Sequence, residues 1–172
     1  ERIKAPFDPL PIWYAPFEHA EVDAAAFPLR AITQRPMFMY HAWHSQNRWL
    51  RQIATRNVLY VHPDTAEAHG LADGDLAHVE SHHGRITVEV QRHSGVEPGT
   101  VWTWNAIGKR RGAWALAPDA PEATRGFLVN DLVSDVLPRT PRANAHPITG
   151  QAAWYDLRVR LTRAADSRHA AT

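Results

Sequence analysis

The sequence predicts a mainly β chain with short helices, closed into a barrel. Three observations predict it. Six or seven short runs of strand character are spread along the 172 residues. Clusters of Gly, Pro, Asn and Asp separate those runs as turns do. No long helical stretch alternates with them, which argues against a doubly wound parallel sheet. The length suits a single domain that can bury a core.

The elements follow in chain order. Residues 1–27 carry Pro6, Pro9, Pro11 and Pro16 with scattered aromatics, and are expected to form an extended proline-rich arm. Phe7, Ile12, Trp13, Tyr14 and Phe17 make the arm too apolar for a free linker, so it should pack on something. The first strand is 28–34, where Leu29, Ala31 and Thr33 alternate with Arg30, Ile32 and Gln34. Arg35-Pro36 ends it. Trp49, Leu50 and Ile53 at helical spacing predict a short helix within 43–53, with Ser45 or Asn47 as cap. Residues 58–62 are a short β run. Pro63-Asp64 then opens a helix of about two turns, with Gly70 just past its end. Residues 76–81 and 85–91 are two strands of a hairpin, turned by His82-His83-Gly84. A strand over 100–104 leads into a long irregular loop, 105–126. A short helix is expected within 127–136, and a final strand over 153–162. The barrel is thus expected over 28–163, with 164–172 a disordered tail.

Composition narrows the chemistry. There is no cysteine, which excludes a disulfide scaffold, a thiolate metal site and a cysteine nucleophile. Nineteen Lys and Arg against 18 Asp and Glu give a formal charge of +1, which argues against a nucleic-acid partner. No apolar run approaches the roughly 20 residues that span a membrane. The opening lacks the charged-then-apolar pattern of a secretory signal. The chain opens without Met in a proline-rich stretch, and is expected to be a piece of a longer polypeptide.

Four groups of residues carry candidate chemistry. The loop His41-Ala-Trp-His44-Ser45-Gln46-Asn47 lies between a strand and a helix, and can hold an anion or equally be an ordinary capped loop. Trp102, Trp104, Asn105 and Gly108 end a strand, followed by Lys109-Arg110-Arg111. They read either as a ligand-facing strand end or as core tryptophans before a solvated basic loop. Asn130 and Asn144 carry both a donor and an acceptor, as reading a purine or pterin edge requires, but Asn also favours plain turns. His78, His82, His83 and His93 could suggest a metal. No carboxylate or thiolate accompanies them, and hairpin histidines at 78 and 82 should be solvent-exposed. No nucleophile–base pair and no Gly-rich phosphate loop is present. The residues alone predict a polar, loop-lined ligand surface without a self-contained catalytic set.

Several segments resemble a known family. PLRAITQRPMFMYHAWHSQNRWLRQI, VLYVHPDTAEAHGLADGDLAHVESHHGRITVEV, VEPGTVWTWNAIGK and FLVNDLVSD are similar to the C-terminal molybdopterin-dinucleotide-binding domain of the dimethyl sulfoxide reductase family. His62-Pro63 through Asp75, followed by the hairpin, is the most specific part, and the H-x-x-H-S-Q loop comes next. The likeness covers residues 27–162.

The resemblance implies a six-stranded double-psi β-barrel, the aspartate-decarboxylase-like barrel. It implies bis(molybdopterin guanine dinucleotide) with Mo or W as cofactor of a longer parent oxidoreductase. Residue by residue it implies cofactor contacts from Thr33, His44, Ser45, Gln46, Trp104, Asn105, Asn130 and Asn144. Relatives often carry Asp-Pro where this chain has His146-Pro147, so His146 is left out. It implies no catalytic residue and no metal ligand in this chain, because these come from earlier domains of the parent subunit. Those domains, and an iron–sulfur subunit, are the implied partners, in the cytoplasm or periplasm of a prokaryote. The competing reading is a stand-alone barrel that recognises a protein or substrate. A convergent polar cleft favours the first reading, and an exposed apolar patch without such a cleft favours the second.

Overall fold

The computed structural model describes residues 10–13, 15–41, 43–44, 47–54, 56–105, 107, 126–146, 148–153 and 157–165. Among them are six strands: β1 Leu29–Gln34, β2 Leu59–Val61, β3 Leu76–Glu80, β4 Arg85–Arg92, β5 Thr100–Trp104 and β6 Arg158–Arg163. Two short helices accompany them, α1 Phe17–Glu21 and α2 Pro63–Ala68, with 3-10 turns at Leu50–Gln52 and Val129–Leu132.

The strands close into a ring in the order β1-β5-β2-β4-β3-β6. β1 pairs with β5 and β2 with β4 in parallel; the other contacts round the ring are antiparallel. This is a six-stranded double-psi barrel. Closure leaves no unpaired strand edge. The expected alternation sets the inside: Leu29, Ala31 and Thr33 of β1 are the shielded set, while Arg30, Ile32 and Gln34 are exposed. Val61, Val79, Val88, Val90, Val101 and Val159 are all fully buried. Branched side chains of this kind pack well on a pleated surface.

Local signals hold where chemistry is local. His62 caps α2 by accepting the Asp64 N–H on Nδ1 at 3.2 Å, Pro63 takes the first helical position, and Gly70 follows the C-cap at φ 64°. The β3–β4 hairpin forms as expected, with Ser81 at its base accepting the N–H groups of His83 and Gly84 on its hydroxyl.

Several expectations are corrected. The helix expected within 43–53 is a single 3-10 turn. Trp49 and Ile53 are 77% and 63% exposed, so no apolar face docks to stabilise a helix, and Asn47 Oδ1 takes the Trp49 N–H. The helix expected within 127–136 is likewise four residues of 3-10 turn, and the last strand starts at Arg158 rather than 153. The arm is not wholly extended, since Pro16 opens α1. Glu18 of α1 is buried beneath it and accepts the Arg158 N–H, joining the arm to β6. Glu21 accepts from the N–H groups of Arg139 and Thr140 and from the Thr140 hydroxyl. The Thr140 hydroxyl, more than the backbone donors, holds the Glu21 carboxyl below its ordinary range. His82 is not solvent-exposed: its side chain is 14% accessible, with Nδ1 3.5 Å from Glu18 Oε1.

Candidate functional site

The parallel pairing of β1 and β5 brings two strand ends out side by side. Thr33 and Thr103 are register partners there, and the Asn105 N–H donates to the Gln34 carbonyl at 3.0 Å. Beyond these ends lies a cleft of about 550 Å3. Thr33, Asn105, Asn130 and Asn144 line it, together with His41 and His83.

Each polar residue arrives by its own route. Thr33 is an inward position of β1, and Asn105 is the first residue after β5. Asn130 is presented by the Val129–Leu132 turn. Asn144 sits between two isolated bridges, Val136–Ala143 and Ala145–Ala152. Its N–H donates to the Asp135 carbonyl, and its carbonyl accepts the Ala153 N–H. The backbone is thus held on both sides, and the side chain is 3% exposed.

Three buried atoms in this cleft have no hydrogen-bond partner: Thr33 Oγ1, Asn105 Oδ1 and Asn144 Oδ1. Leaving a buried polar atom unpaired costs about 1–3 kcal/mol. Three such atoms facing one cavity fit a ligand rich in N–H and O–H groups, as a pterin or purine is.

The other candidate residues lie elsewhere. His44 is exposed at φ 67° and does not line the cleft. Trp104 packs edge-on against Trp102 at 4.8 Å between ring centres, and also stands outside the cleft lining. Ser45 and Gln46 lie outside the described residues. The implied contact set omitted His41 and His83, which line the cleft; the residues alone had placed His41 in a loop that can hold an anion and His83 in a group that could suggest a metal. The signal for His83 was Ser81 three residues before Gly84, which fixes the hairpin tip. Among the described residues no cluster of three His, Asp or Glu could hold a metal ion. A larger groove of about 730 Å3 runs along the outer face of β1 and β5, floored by Ile32 and Trp102. None of the eight residues implied as cofactor contacts lines it, although His93 and Trp102 do.

Both discriminating features are present. The polar cleft is convergent, and Met37, Tyr40, Trp43, Trp49 and Ile53 of the loop after β1 are exposed apolar residues.

A family model described as "Molydopterin dinucleotide binding domain" matches residues 29–147. The chain belongs to this family. It is a molybdopterin-dinucleotide-binding domain of the dimethyl sulfoxide reductase family, and its cofactor class is a molybdopterin. The chain is 51% identical over 168 residues to a sulfite dehydrogenase subunit of Allochromatium vinosum, covering 95% of this chain and 17% of that protein. It is 30% identical over 143 residues to a putative catalytic subunit of dimethyl sulfoxide reductase from Halobacterium salinarum, covering 83% of this chain and 15% of that one. The solved structure of acetylene hydratase from Pelobacter acetylenicus superposes with a TM-score of 0.71 at 21% identity, over 94% of this chain and 22% of its own. That likeness concerns the fold. The domain therefore spans less than a quarter of the length of these three proteins.

Proposed function

We propose that this chain holds bis(molybdopterin guanine dinucleotide), carrying Mo or W, as the C-terminal domain of an oxidoreductase large subunit. In this reading residues 28–163 are the cofactor-binding unit, 1–27 an arm against the parent's other domains, and 164–172 a tail. The observation that carries it is the set of three unpartnered buried atoms on Thr33, Asn105 and Asn144 in one cleft. Asn144 and Asn105 would accept N–H groups of the guanine or pterin edge, Thr33 would bond a neighbouring polar atom, and Asn130 would close the rim. His44, Ser45, Gln46 and Trp104, the last residue of β5, belong to the same proposed contact set. When bound, the dinucleotide supplies the metal centre for electron and oxygen transfer. This chain's own residues orient it and keep water from its polar edge. An iron–sulfur subunit would accept the electrons.

The test uses GDP as probe of the nucleotide half. Calorimetry should show weak binding to the chain, because the parent's other domains form the rest of the cleft. Asn144→Ala should weaken it about tenfold, or about 1.4 kcal/mol. Absence of GDP binding would overturn the reading. For the full-length protein the 51% relative nominates sulfite as substrate. Sulfite-dependent dye reduction checks that, and turnover of an S-oxide without sulfite oxidation rejects it.

A further inference from the structure

The cleft needs a counter-charge that its amides do not supply. A dinucleotide carries a diphosphate, and burying charged oxygens without donors is costly. Among the described residues that line the cleft there is no Lys or Arg; His41 and His83 alone can carry positive charge, against one carboxylate, Asp135.

His83 is the better held of the two. Ser81 Oγ donates to the Leu132 carbonyl at 2.7 Å and accepts the N–H groups of His83 and Gly84, both at 3.1 Å. One hydroxyl thereby ties the hairpin tip to the turn that presents Asn130. At Gly84 the backbones approach so closely that a Cβ would stand 2.0 Å from the Asp131 carbonyl oxygen. The neighbouring His82 ring lies with Nδ1 3.5 Å from Oε1 of buried Glu18 in the arm. The hairpin tip thus turns one imidazole toward the arm and the next toward the cleft. Among the described residues the exposed His83 ring makes no hydrogen bond.

We propose that His83 is a diphosphate-facing residue of the cleft, held in register with Asn130 by Ser81 and Gly84. The inference rests on the dinucleotide reading and adds to it which end of the ligand the hairpin meets. The amides take the base edge, and the imidazole takes the phosphate oxygens.

The test compares GDP with guanosine, both titrated by NMR against the chain. Wild-type protein should bind GDP more tightly than guanosine. His83→Ala should weaken GDP about three- to tenfold and leave guanosine unchanged, and His83→Arg should restore the difference. His93→Ala, on the outer groove, should change neither. Gly84→Ala should weaken both ligands, because it displaces His83 and Asn130 together. If wild-type protein binds GDP and His83→Ala binds it equally well, the assignment of His83 is wrong while the cleft reading stands. A parallel loss of GDP and guanosine in His83→Ala also refutes it. If wild-type protein binds neither ligand, the cleft reading fails and takes this one with it.

Discussion

Thr33 and Thr103 are register partners on neighbouring parallel strands, yet their hydroxyls have opposite fates. At the β2–β5 seam, the Thr103 hydroxyl donates to the Val58 carbonyl at 2.9 Å and lies 3.2 Å from Asn57 Oδ1. Asn57 in turn donates to the Trp104 carbonyl at 2.8 Å. In the cleft, Thr33 Oγ1 has no partner, and neither do the side-chain oxygens of Asn105 and Asn144. The two regions contain the same residue types, Thr and Asn, and in both the side-chain oxygens concerned are buried. In the seam, polar groups satisfy each other and hold the fold. In the cleft they are left for something else to satisfy. Residue type does not separate the two cases; the hydrogen-bond partners do.

The largest effect that tests this contrast is expected in the seam. Thr103→Val keeps the shape and strands the Val58 carbonyl, so it should destabilise by about 1–3 kcal/mol in urea unfolding. An unchanged midpoint would mean the seam is no more structural than the cleft.

A smaller effect is expected at His82, whose ring nitrogens are buried without a hydrogen-bond partner and whose ring does not line the cleft. Burial pushes the imidazole below its ordinary 6.5, and His83 acts in the same direction. The folded state thus favours the neutral ring. Stability is full above the unfolded value and falls as pH drops through 6.5 toward the lowered folded value, because the unfolded chain takes up the proton first. His82→Phe should flatten that part of the Tm-against-pH curve relative to wild type. Parallel curves would rule out His82 as a source of the slope.

The smallest effect on stability is expected from Thr33→Val. Removing an unpartnered hydroxyl without changing shape should shift stability by less than about 1 kcal/mol, toward the more stable side. GDP binding should nonetheless weaken. A loss of stability matching that of Thr103→Val would erase the distinction between the regions.

The legible parts of the fold are those whose causes are local. Alternation in β1, the Pro63 and Gly70 punctuation of α2 and the β3–β4 turn each follow from a few adjacent residues. The order of strands round the ring is not local, and the number of strands alone left it open. The helix expected within 43–53 shows the limit of periodicity: the spacing of Trp49, Leu50 and Ile53 is helical, but nothing covers that face within this chain. Burial of Glu18 was invisible because its partners, the Arg158 N–H and His82, lie far off in sequence. At the site, spacing alone favoured ordinary turns for Asn130 and Asn144. Asn105 stood open between ligand-facing and plain readings, and only family resemblance added Thr33 and joined the four residues, which line one cleft. His83 was weighed only as a metal ligand, because a histidine pair in a hairpin reads as solvated surface until the tip is seen to rest on the Val129–Leu132 turn.

The ring has a consequence in time. Its closing contact joins Leu29 to Val159, and the strand that completes it is the last of the six. As a ribosome makes the chain, the first five strands can pair only into an open, curled sheet with two raw edges. Contacts between residues so far apart in sequence are slow to form and leave edges exposed meanwhile. A cleft built on β1 and β5 therefore gains its final rigidity only after residue 159 has emerged. A ligand that needs both strand ends in place thus meets a settled cleft only in the finished protein.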